Sequence, residues 1–293
     1  MMVPSYYPAF RCIADKCRHT CCKGWEIDID EDTLDLYRSI PGHMGERLQR
    51  SIDWASGSFC LDDEENCPFL NKQGLCDIIL HLGEGALCQI CDDHPRFRNF
   101  MDDRVEMGLG LCCEAAGQLI LSWQEKVHLI PLDEEEGEAD EAFLRWRDSV
   151  IAIAQDRTMP MEERMNAILH AHDLHVQVDA AHWAEVLLRL ERLEDSWADR
   201  LEALKTASDK PLLQAMEAPM EQLLVYLLFR HLAPAYDDGD RAGRLLYCVI
   251  MWQLLRLMAD DDLVELARQY SAEIEYSDEN MDAILDEIHD LYL

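Results

Sequence analysis

Cysteine is concentrated at one end of this sequence, where eleven of the twelve cysteines fall within the first 113 of 293 residues. Their positions are 12, 17, 21, 22, 60, 67, 76, 88, 91, 112 and 113, and the twelfth, Cys248, stands alone in an apolar stretch. A disulfide scaffold of this density is typical of a short secreted chain. The N-terminus has neither a basic segment nor a long apolar run, so we expect a cytoplasmic protein with reduced thiols.

Clustered thiols in a reducing compartment indicate metal binding or redox chemistry. The segment Cys12–Cys22 holds four thiols, and the two cysteines of Cys88-x2-Cys91 have the spacing of a chelating pair. Cys67 and Cys76 flank a predicted turn at Asn71–Gly74. The irregular spacing favours an iron–sulfur cluster. Zinc, or redox-active thiols without a metal, are the alternatives.

The chain has more thiols than one four-coordinate site needs, which indicates either a second metal or ordinary buried cysteines. Cys60 and Cys248 are the expected bystanders. Only one of Cys112 and Cys113 is expected to face a site, because neighbouring side chains diverge in a helix or a strand.

The net charge of −33 excludes nucleic acid and anionic membranes as partners, since both bind basic surfaces. The same field attracts metal ions or lysine-rich protein surfaces. The strongest apolar stretches are Leu223–Leu228 and Leu245–Leu257, and both are shorter than the ~20 residues of a membrane span. We therefore expect no transmembrane segment.

Periodicity predicts a mainly α fold, with a loop-rich cysteine region at 1–126 and an all-helical region at 139–293. The acidic run Asp133–Glu138 is predicted to be a linker between them. The predicted helices are Glu31–Ser39 with Asp30 as N-cap, His43–Ser51, Cys112–Lys126, Glu141–Asp156, Met161–His175, Ala180–Ala207, Leu212–Leu232, Arg241–Met258, Asp260–Glu275 and Asp278–Tyr292. A short hairpin is expected around Cys60–Cys76.

Several motifs together resemble the flagellin lysine-N-methylase (FliB) family. They are Tyr7–Cys12 with Cys17 and Cys21-Cys22-Lys23-Gly24-Trp25, Cys67-Pro68-Phe69-Leu70, Gly74-Leu75-Cys76, Cys91-x2-His94-Pro95-Arg96-Phe97, Leu111-Cys112-Cys113-Glu114 and the helical segment Glu221–His231. The chain resembles, more distantly, a group of zinc- or iron-chelating cysteine-rich proteins.

The resemblance implies methylation of flagellin lysines with S-adenosylmethionine as donor, and an oxygen-sensitive [4Fe–4S] cluster. The ligands that it implies are Cys12, Cys17, Cys21, Cys22, Cys67, Cys76, Cys91 and Cys112. Cys60, Cys88 and Cys113 are additions relative to the family motifs. The alternative function is a non-catalytic protein that stores or delivers zinc or iron, and binding of the methyl donor distinguishes the two.

Methylation of an amine requires a neutral lysine nitrogen and a bound donor. His94 is the nearest candidate base, and Arg96 is a candidate partner for the carboxylate of the donor or for cluster sulfide. Trp25 and Arg230 are further candidates for donor contacts. The structural alternatives are a turn histidine, a salt-bridged arginine, a tryptophan that packs over the metal site, and an exposed Arg230-His231 pair at a helix end.

Overall fold

The computed structural model describes residues 1–133, 137–208 and 211–293. The chain divides into two units: Met1–Phe10 together with Arg98–Leu293 form a helical unit, and Arg11–Phe97 form a cysteine-rich unit. Helices dominate the described residues and the sheets are small, which confirms the predicted fold class. Within those ranges, no helix is both long and apolar enough to cross a bilayer.

The helices and strands of the described residues are as follows. The α-helices are α1 (Glu31–Ser39), α2 (Gly42–Ser51), α3 (Asp77–Leu82), α4 (Gln89–Asp93), α5 (Glu114–Ser122), α6 (Glu141–Ala154), α7 (Met161–Ala171), α8 (Ala180–Leu188), α9 (Asp195–Leu204), α10 (Glu217–His231), α11 (Ala235–Asp238), α12 (Arg241–Met258), α13 (Leu263–Tyr270) and α14 (Asp278–Tyr292). The strands are β1 (Met2–Pro4), β2 (Ile52–Asp53), β3 (Ser58–Phe59), β4 (Arg96–Met101), β5 (Arg104–Leu109) and β6 (Leu129–Pro131). Single 3-10 turns lie at Tyr7–Ala9, Ala14–Lys16, Glu84–Ala86 and Gln214–Met216, and a π-helix at Ser271–Glu275 continues α13.

A four-stranded sheet in the order β4-β5-β1-β6 joins the two chain segments of the helical unit. Strand β1 pairs in parallel with β5, where Met2 lies opposite Glu106, and antiparallel with β6. Glu106 is fully buried, and it forms a two-fold ion pair with Arg147 of α6 at 2.7 and 2.8 Å. Because the charge is paired and hydrogen-bonded, the sheet can carry it into the core.

The core of the helical unit is built on α10 and α12. Most residues of both helices are buried, as expected for helices surrounded by protein. The indole of Trp252 in α12 donates a hydrogen bond to the Met220 carbonyl of α10 at 2.8 Å. This bond fixes the two helices to each other at a completely buried position.

The cysteine-rich unit has a core of its own, and Tyr37, Leu48, Phe59 and Phe69 are among its buried residues. Helix α1 begins as predicted, because the Asp30 carboxylate accepts the Thr33 N–H at 2.9 Å. Strands β2 and β3, which have two residues each, pair as an antiparallel hairpin. Regular structure is sparse here, so short turns fix the positions of most side chains.

Most predicted helices are confirmed, including α1, α12 and α14 at their predicted bounds. The single helix predicted over Ala180–Ala207 is wrong, since the structure has α8 and α9 with a break between them. The buried Glu273 carboxylate accepts the backbone N–H groups of Leu193 and Glu194 at 2.8 and 2.7 Å, so these groups are satisfied without a helix. The helix predicted over Asp260–Glu275 becomes α13 and the π-helix.

The two units differ from the predicted regions 1–126 and 139–293. The helical unit takes in the first ten residues because β1 pairs with β5 and β6, and it takes in α5, which packs on α10 and α13. The predicted linker Asp133–Glu138 falls largely on residues 134–136, which lie outside the described residues.

Candidate metal centre

Five thiols of the cysteine-rich unit gather on one apolar core. Cys67 and Cys88 belong to that core, with 7% and 1% of their surface exposed, and Cys22, Cys76 and Cys91 pack against it. The five come from three separate chain segments, so the fold and not sequence proximity brings them together.

Main-chain hydrogen bonds hold the first of these segments to the second. The Cys67 N–H donates to the Cys22 carbonyl at 2.8 Å, and Lys23 forms an antiparallel bridge with Asn66. Gly24 adopts a positive φ of 83°, a conformation that glycine reaches without strain, and its N–H donates to the Glu65 carbonyl. The segment that carries Cys22 is thereby fixed along the segment that carries Cys67.

A tight loop then returns the chain from Cys67 to Cys76. The Gly74 N–H donates to the Asn71 carbonyl at 2.9 Å, and Leu70 forms an antiparallel bridge with Cys76, which confirms the predicted turn. The Arg47 guanidinium closes the loop from α2. It donates to the Pro68 carbonyl at 2.5 Å and pairs with Asp77 at 2.6 Å.

The Cys88–Cys91 pair lies at the start of α4. Cys88 is the residue before the helix, and Cys91 lies in its first turn, with its N–H donating to the Cys88 carbonyl at 3.0 Å. The Asp30 carboxylate, which caps α1, also accepts the Gln89 N–H at 2.8 Å. One carboxylate therefore fixes the first turns of two helices.

Burial and shared hydrogen bonds divide the thiols into easily and poorly ionised members. A hydrogen bond with Cys21 lowers the pKa of Cys22 to about 7, against the opposing effect of burial. Burial raises the pKa of Cys67 to about 12. The hydrogen bond between Cys88 and Cys91 lowers the pKa of the first and raises that of the second. A bound metal cation would allow the poorly ionised thiols to lose their protons as well, because its charge compensates several thiolates at once.

The thiols are neighbours without forming a closed coordination shell. Among the described residues, no three histidine, cysteine or acidic side chains are arranged to hold a metal ion as they stand. Thiol–thiol hydrogen bonds join Cys21 with Cys22 and Cys88 with Cys91. Metal–thiolate bonds of about 2.3 Å require deprotonated sulfurs that converge on one point.

The other cysteines occupy different surroundings. Cys12, Cys21 and Cys60 are exposed, and the half-buried Cys17 donates from its thiol to the His19 carbonyl at 2.8 Å. Cys112 and Cys113 lie in the helical unit, where burial raises the pKa of Cys112 to about 11. Cys248 is completely buried in α12, and its thiol bonds the Leu227 carbonyl. Of the eight predicted ligands, the structure gathers Cys22, Cys67, Cys76 and Cys91, and it adds Cys88.

Two of the predicted site residues in this unit have local structural partners. The Trp25 indole donates to the Cys21 carbonyl at 2.8 Å, and its ring packs on the core that holds the thiols. Arg96 donates to the Asp92 carbonyl at the end of α4 at 2.7 Å. Trp25 therefore shields part of the thiol core from water.

His94 is a weak base in this setting. Burial and, to a lesser degree, the charge of Arg96 lower the pKa of His94 to about 4. The imidazole is therefore neutral near pH 7. Taking a proton from a lysine ammonium, whose ordinary pKa is about 10.4, would be uphill by roughly 6 pKa units.

Arg230 and His231 lie in the helical unit beside one carboxylate, with His231 buried and the Arg230 side chain only 11% exposed. His231 and Arg230 lie 2.7 and 3.3 Å from the Glu275 carboxylate, and the Tyr226 hydroxyl donates to it at 2.6 Å. Arg230 also stacks on the Tyr276 ring. The solvent-exposed alternative for the Arg230-His231 pair is wrong.

The charge in this network lies on Arg230 and Glu275. Burial tends to raise the pKa of Glu275, but the charge of Arg230 and the hydrogen bond from His231 outweigh it and lower the pKa to about 2. Burial lowers the pKa of His231, so its neutral ring donates to the carboxylate. Glu275 is the last residue of the π-helix, a geometry often found at functional sites.

Sequence reasoning missed Glu275, and it treated Cys88 as an addition to the family motifs. Glu275 lies among many acidic residues near the end of the chain, and nothing local distinguishes a buried carboxylate from an exposed one. The sequence did carry a signal for Cys88, because its Cys-x2-Cys spacing with Cys91 is typical of a chelating pair.

The fold and the gathered thiols define a mainly helical protein with a cysteine-rich unit inserted near its N-terminus. Residues 172–292 match the FliB lysine N-methylase C-terminal domain. The chain belongs to the FliB lysine N-methylase family. The matched residues include the Glu275 network and lie outside the cysteine-rich unit.

Similar proteins occur in Salmonella. Two lysine-N-methylases, from Salmonella typhimurium and Salmonella choleraesuis, are each 30% identical over 129 residues, which covers 41% of this chain and 32% of each relative. The flagellar biosynthetic protein FliU of Salmonella muenchen is also 30% identical over 129 residues, 75% of its length. The match thus spans about a third of the two lysine-N-methylases. No solved structure matches the chain.

Proposed function

We propose that this chain methylates protein lysines, with S-adenosylmethionine as the methyl donor and flagellin as the substrate. The observation that carries the proposal is membership of the FliB lysine N-methylase family, through the match over residues 172–292 and the similarity to FliU. The flagellar name of that relative supports flagellin as the protein substrate.

The proposed reaction transfers a methyl group from the donor's sulfur to the lysine nitrogen. A neutral lysine nitrogen attacks the donor's methyl carbon, the sulfur keeps the electrons of the broken bond, and S-adenosylhomocysteine leaves. The lysine ammonium gives up one proton to water before the attack, and the methylated nitrogen then carries the positive charge that leaves the sulfur. Because His94 is a weak base, we expect desolvation of the lysine to supply the neutral amine. The net charge of −33 favours the approach of a cationic side chain.

We further propose that the gathered thiols bind a [4Fe–4S] cluster. The donor set fits such a group: Cys22, Cys67, Cys76, Cys88 and Cys91 offer five thiols on one apolar core, and a cubane takes four. A cluster supplies a one-electron redox centre when bound. The chain's own part is to bury the ligands and to keep water away with Trp25. Zinc on the same thiols is the alternative metal.

A test of the proposal begins with protein purified without oxygen. We expect roughly four iron and four sulfide per chain, and transfer of labelled methyl from S-adenosylmethionine to lysines of flagellin, located by mass spectrometry. Cys67→Ala should lower the iron content, because it removes a buried thiol of the gathered set. Cys248→Ala is the matched control, because it also removes a buried free thiol but lies in the helical unit, and it should keep its iron.

Each result decides a separate part of the proposal. A colourless protein with stoichiometric zinc refutes the cluster and leaves the methylase open. A metal-loaded protein that neither binds the donor nor labels flagellin refutes the methylase and favours the chelating protein. Equal iron loss in Cys67→Ala and Cys248→Ala would show that the gathered thiols are not the ligands.

A further inference from the structure

The helical unit contains a cavity of about 440 Å³. One wall is a single face of α6, on which Leu144, Arg147 and Ile151 recur at three- and four-residue steps. The facing wall is α10, and β1 with the chain around β6 closes the space. The volume falls within the range of small-molecule sites, and the lining is mostly apolar with a few polar groups, as in such sites.

Two residues of the cavity lining each carry a buried polar atom without a partner. The Nε–H of Arg147 and the Oε1 of Gln222 have no hydrogen-bond partner among the described residues. Each side chain is 1% exposed. A buried polar atom without a partner loses its hydrogen bonds to water and gains none in return, so such atoms are rare without a reason. Here one is a donor, the other is an acceptor, and both belong to residues that line one cavity.

The charges at the cavity are unbalanced in a way that favours an anion. Arg147 and Arg104, which both line it, share the single Glu106 carboxylate, so the buried part carries one excess positive charge. This excess occurs in a chain with a net charge of −33. The exposed Asp148 also lines the cavity, and it makes no hydrogen bond or ion pair within the described part of the chain. A cationic region therefore lies in the same cavity as an acidic group.

We propose that this cavity binds the α-amino-acid end of a small molecule whose body is apolar or aromatic. The ligand's carboxylate pairs with Arg147 and Arg104, and its ammonium group is accepted by Gln222 Oε1 and Asp148. The apolar wall residues, such as Leu144 and Ile151, receive the body. The inference rests on the proposed function, in which S-adenosylmethionine is the ligand of this class.

Calorimetric titration of the whole chain tests the assignment, with three ligands that share one nucleoside. S-adenosylmethionine and S-adenosylhomocysteine carry the amino-acid end, and 5′-methylthioadenosine lacks it. We expect 5′-methylthioadenosine to bind at least about tenfold more weakly, since charge-assisted hydrogen bonds are lost. Arg104→Gln should weaken S-adenosylhomocysteine about tenfold. It should leave 5′-methylthioadenosine unchanged, and Glu106 keeps its two bonds to Arg147.

A cavity-blocking variant provides an independent measurement. Ala152 lines the cavity at an exposed position of α6, so Ala152→Trp should abolish binding of S-adenosylmethionine and S-adenosylhomocysteine. Ala142→Trp is the matched control, because Ala142 is exposed on the same helix and does not line the cavity. Circular dichroism melts of both variants show whether the fold is kept.

The outcomes separate this assignment from the proposed function. Loss of binding in Ala152→Trp but not in Ala142→Trp supports the cavity. Unchanged donor binding in Ala152→Trp and Arg104→Gln overturns the cavity and leaves the methylase standing. Equal affinity of wild-type protein for all three ligands overturns the amino-acid assignment. Absence of any donor binding to wild-type protein overturns both.

Discussion

Replacing the buried Glu275 by glutamine should destabilise the helical unit by about 3–5 kcal/mol near pH 7. Glu275→Gln keeps the shape of the side chain but removes the charge that faces Arg230, and a buried charge left without its partner costs about that much. The lowered pKa of Glu275 gives a destabilisation of similar size. The fall from the ordinary 4.5 to about 2 is roughly 2.5 pKa units, or about 3 kcal/mol. The Glu275 side chain has no exposed surface, so solvent screening does not reduce this contribution.

The pH dependence has a definite sign. The pKa of Glu275 is lower in the folded protein than in the unfolded chain, so its contribution is fully present above pH 4.5. That contribution is lost progressively as pH falls from 4.5 towards 2. The gap in unfolding free energy between wild type and Glu275→Gln should therefore shrink over this window.

Urea unfolding followed by far-ultraviolet circular dichroism at pH 7, 4.5 and 3 measures this gap. Glu279→Gln is the matched control, since Glu279 is an exposed carboxylate in the first turn of α14, and it should stay within about 0.5 kcal/mol of wild type. A gap below about 1 kcal/mol at pH 7, or one that does not change between pH 7 and 3, would refute the assignment of the charge to Arg230 and Glu275.

Three further predictions concern metal content, packing and encounter with substrate. Cys88→Ser should reduce bound iron, whereas the same change at the exposed Cys60 should not, and colorimetric iron analysis of the two variants compares them. Gly45→Ala should destabilise the cysteine-rich unit by about 1–3 kcal/mol in urea unfolding, because the added Cβ would lie 1.9 Å from the Ile40 carbonyl oxygen. Gly85→Ala, with no atom within 4 Å of its Cβ, should be nearly neutral, and equal losses would contradict the packing argument. The rate of flagellin methylation at low substrate should fall as salt rises, because screening acts over about 8–10 Å at physiological ionic strength; a rate independent of salt would exclude electrostatic attraction.

Local signals in the sequence predicted much of the fold. The bounds of α12 follow from the capping Asp240 and an unbroken apolar stretch, and Asp30 marks the start of α1 in the same way. The short strands were not predicted, because three-residue strands such as β1 have no measurable period and form only through pairing with distant residues. The break between α8 and α9 was missed for a similar reason, since Glu273 lies some eighty residues further along the chain.

The candidate site was likewise predicted only where local sequence signals were enough. Residue type and spacing are enough to indicate a thiol centre and the Cys88–Cys91 pair. Which thiols gather depends on contacts such as Arg47 with Asp77, and these join segments that are thirty residues apart. The role of Arg230 was equally hidden, because its partner Glu275 belongs to another helix.

The insertion of the cysteine-rich unit into the helical unit has a consequence for synthesis on the ribosome. Strand β1 is made first, but its partner β5 begins only at Arg104, after the whole segment Arg11–Phe97. At about 5–20 residues per second, β1 waits roughly 5–20 seconds for that partner. The thiol-bearing segment emerges during this interval, so the core that gathers its thiols can form on the nascent chain before the helical unit is complete.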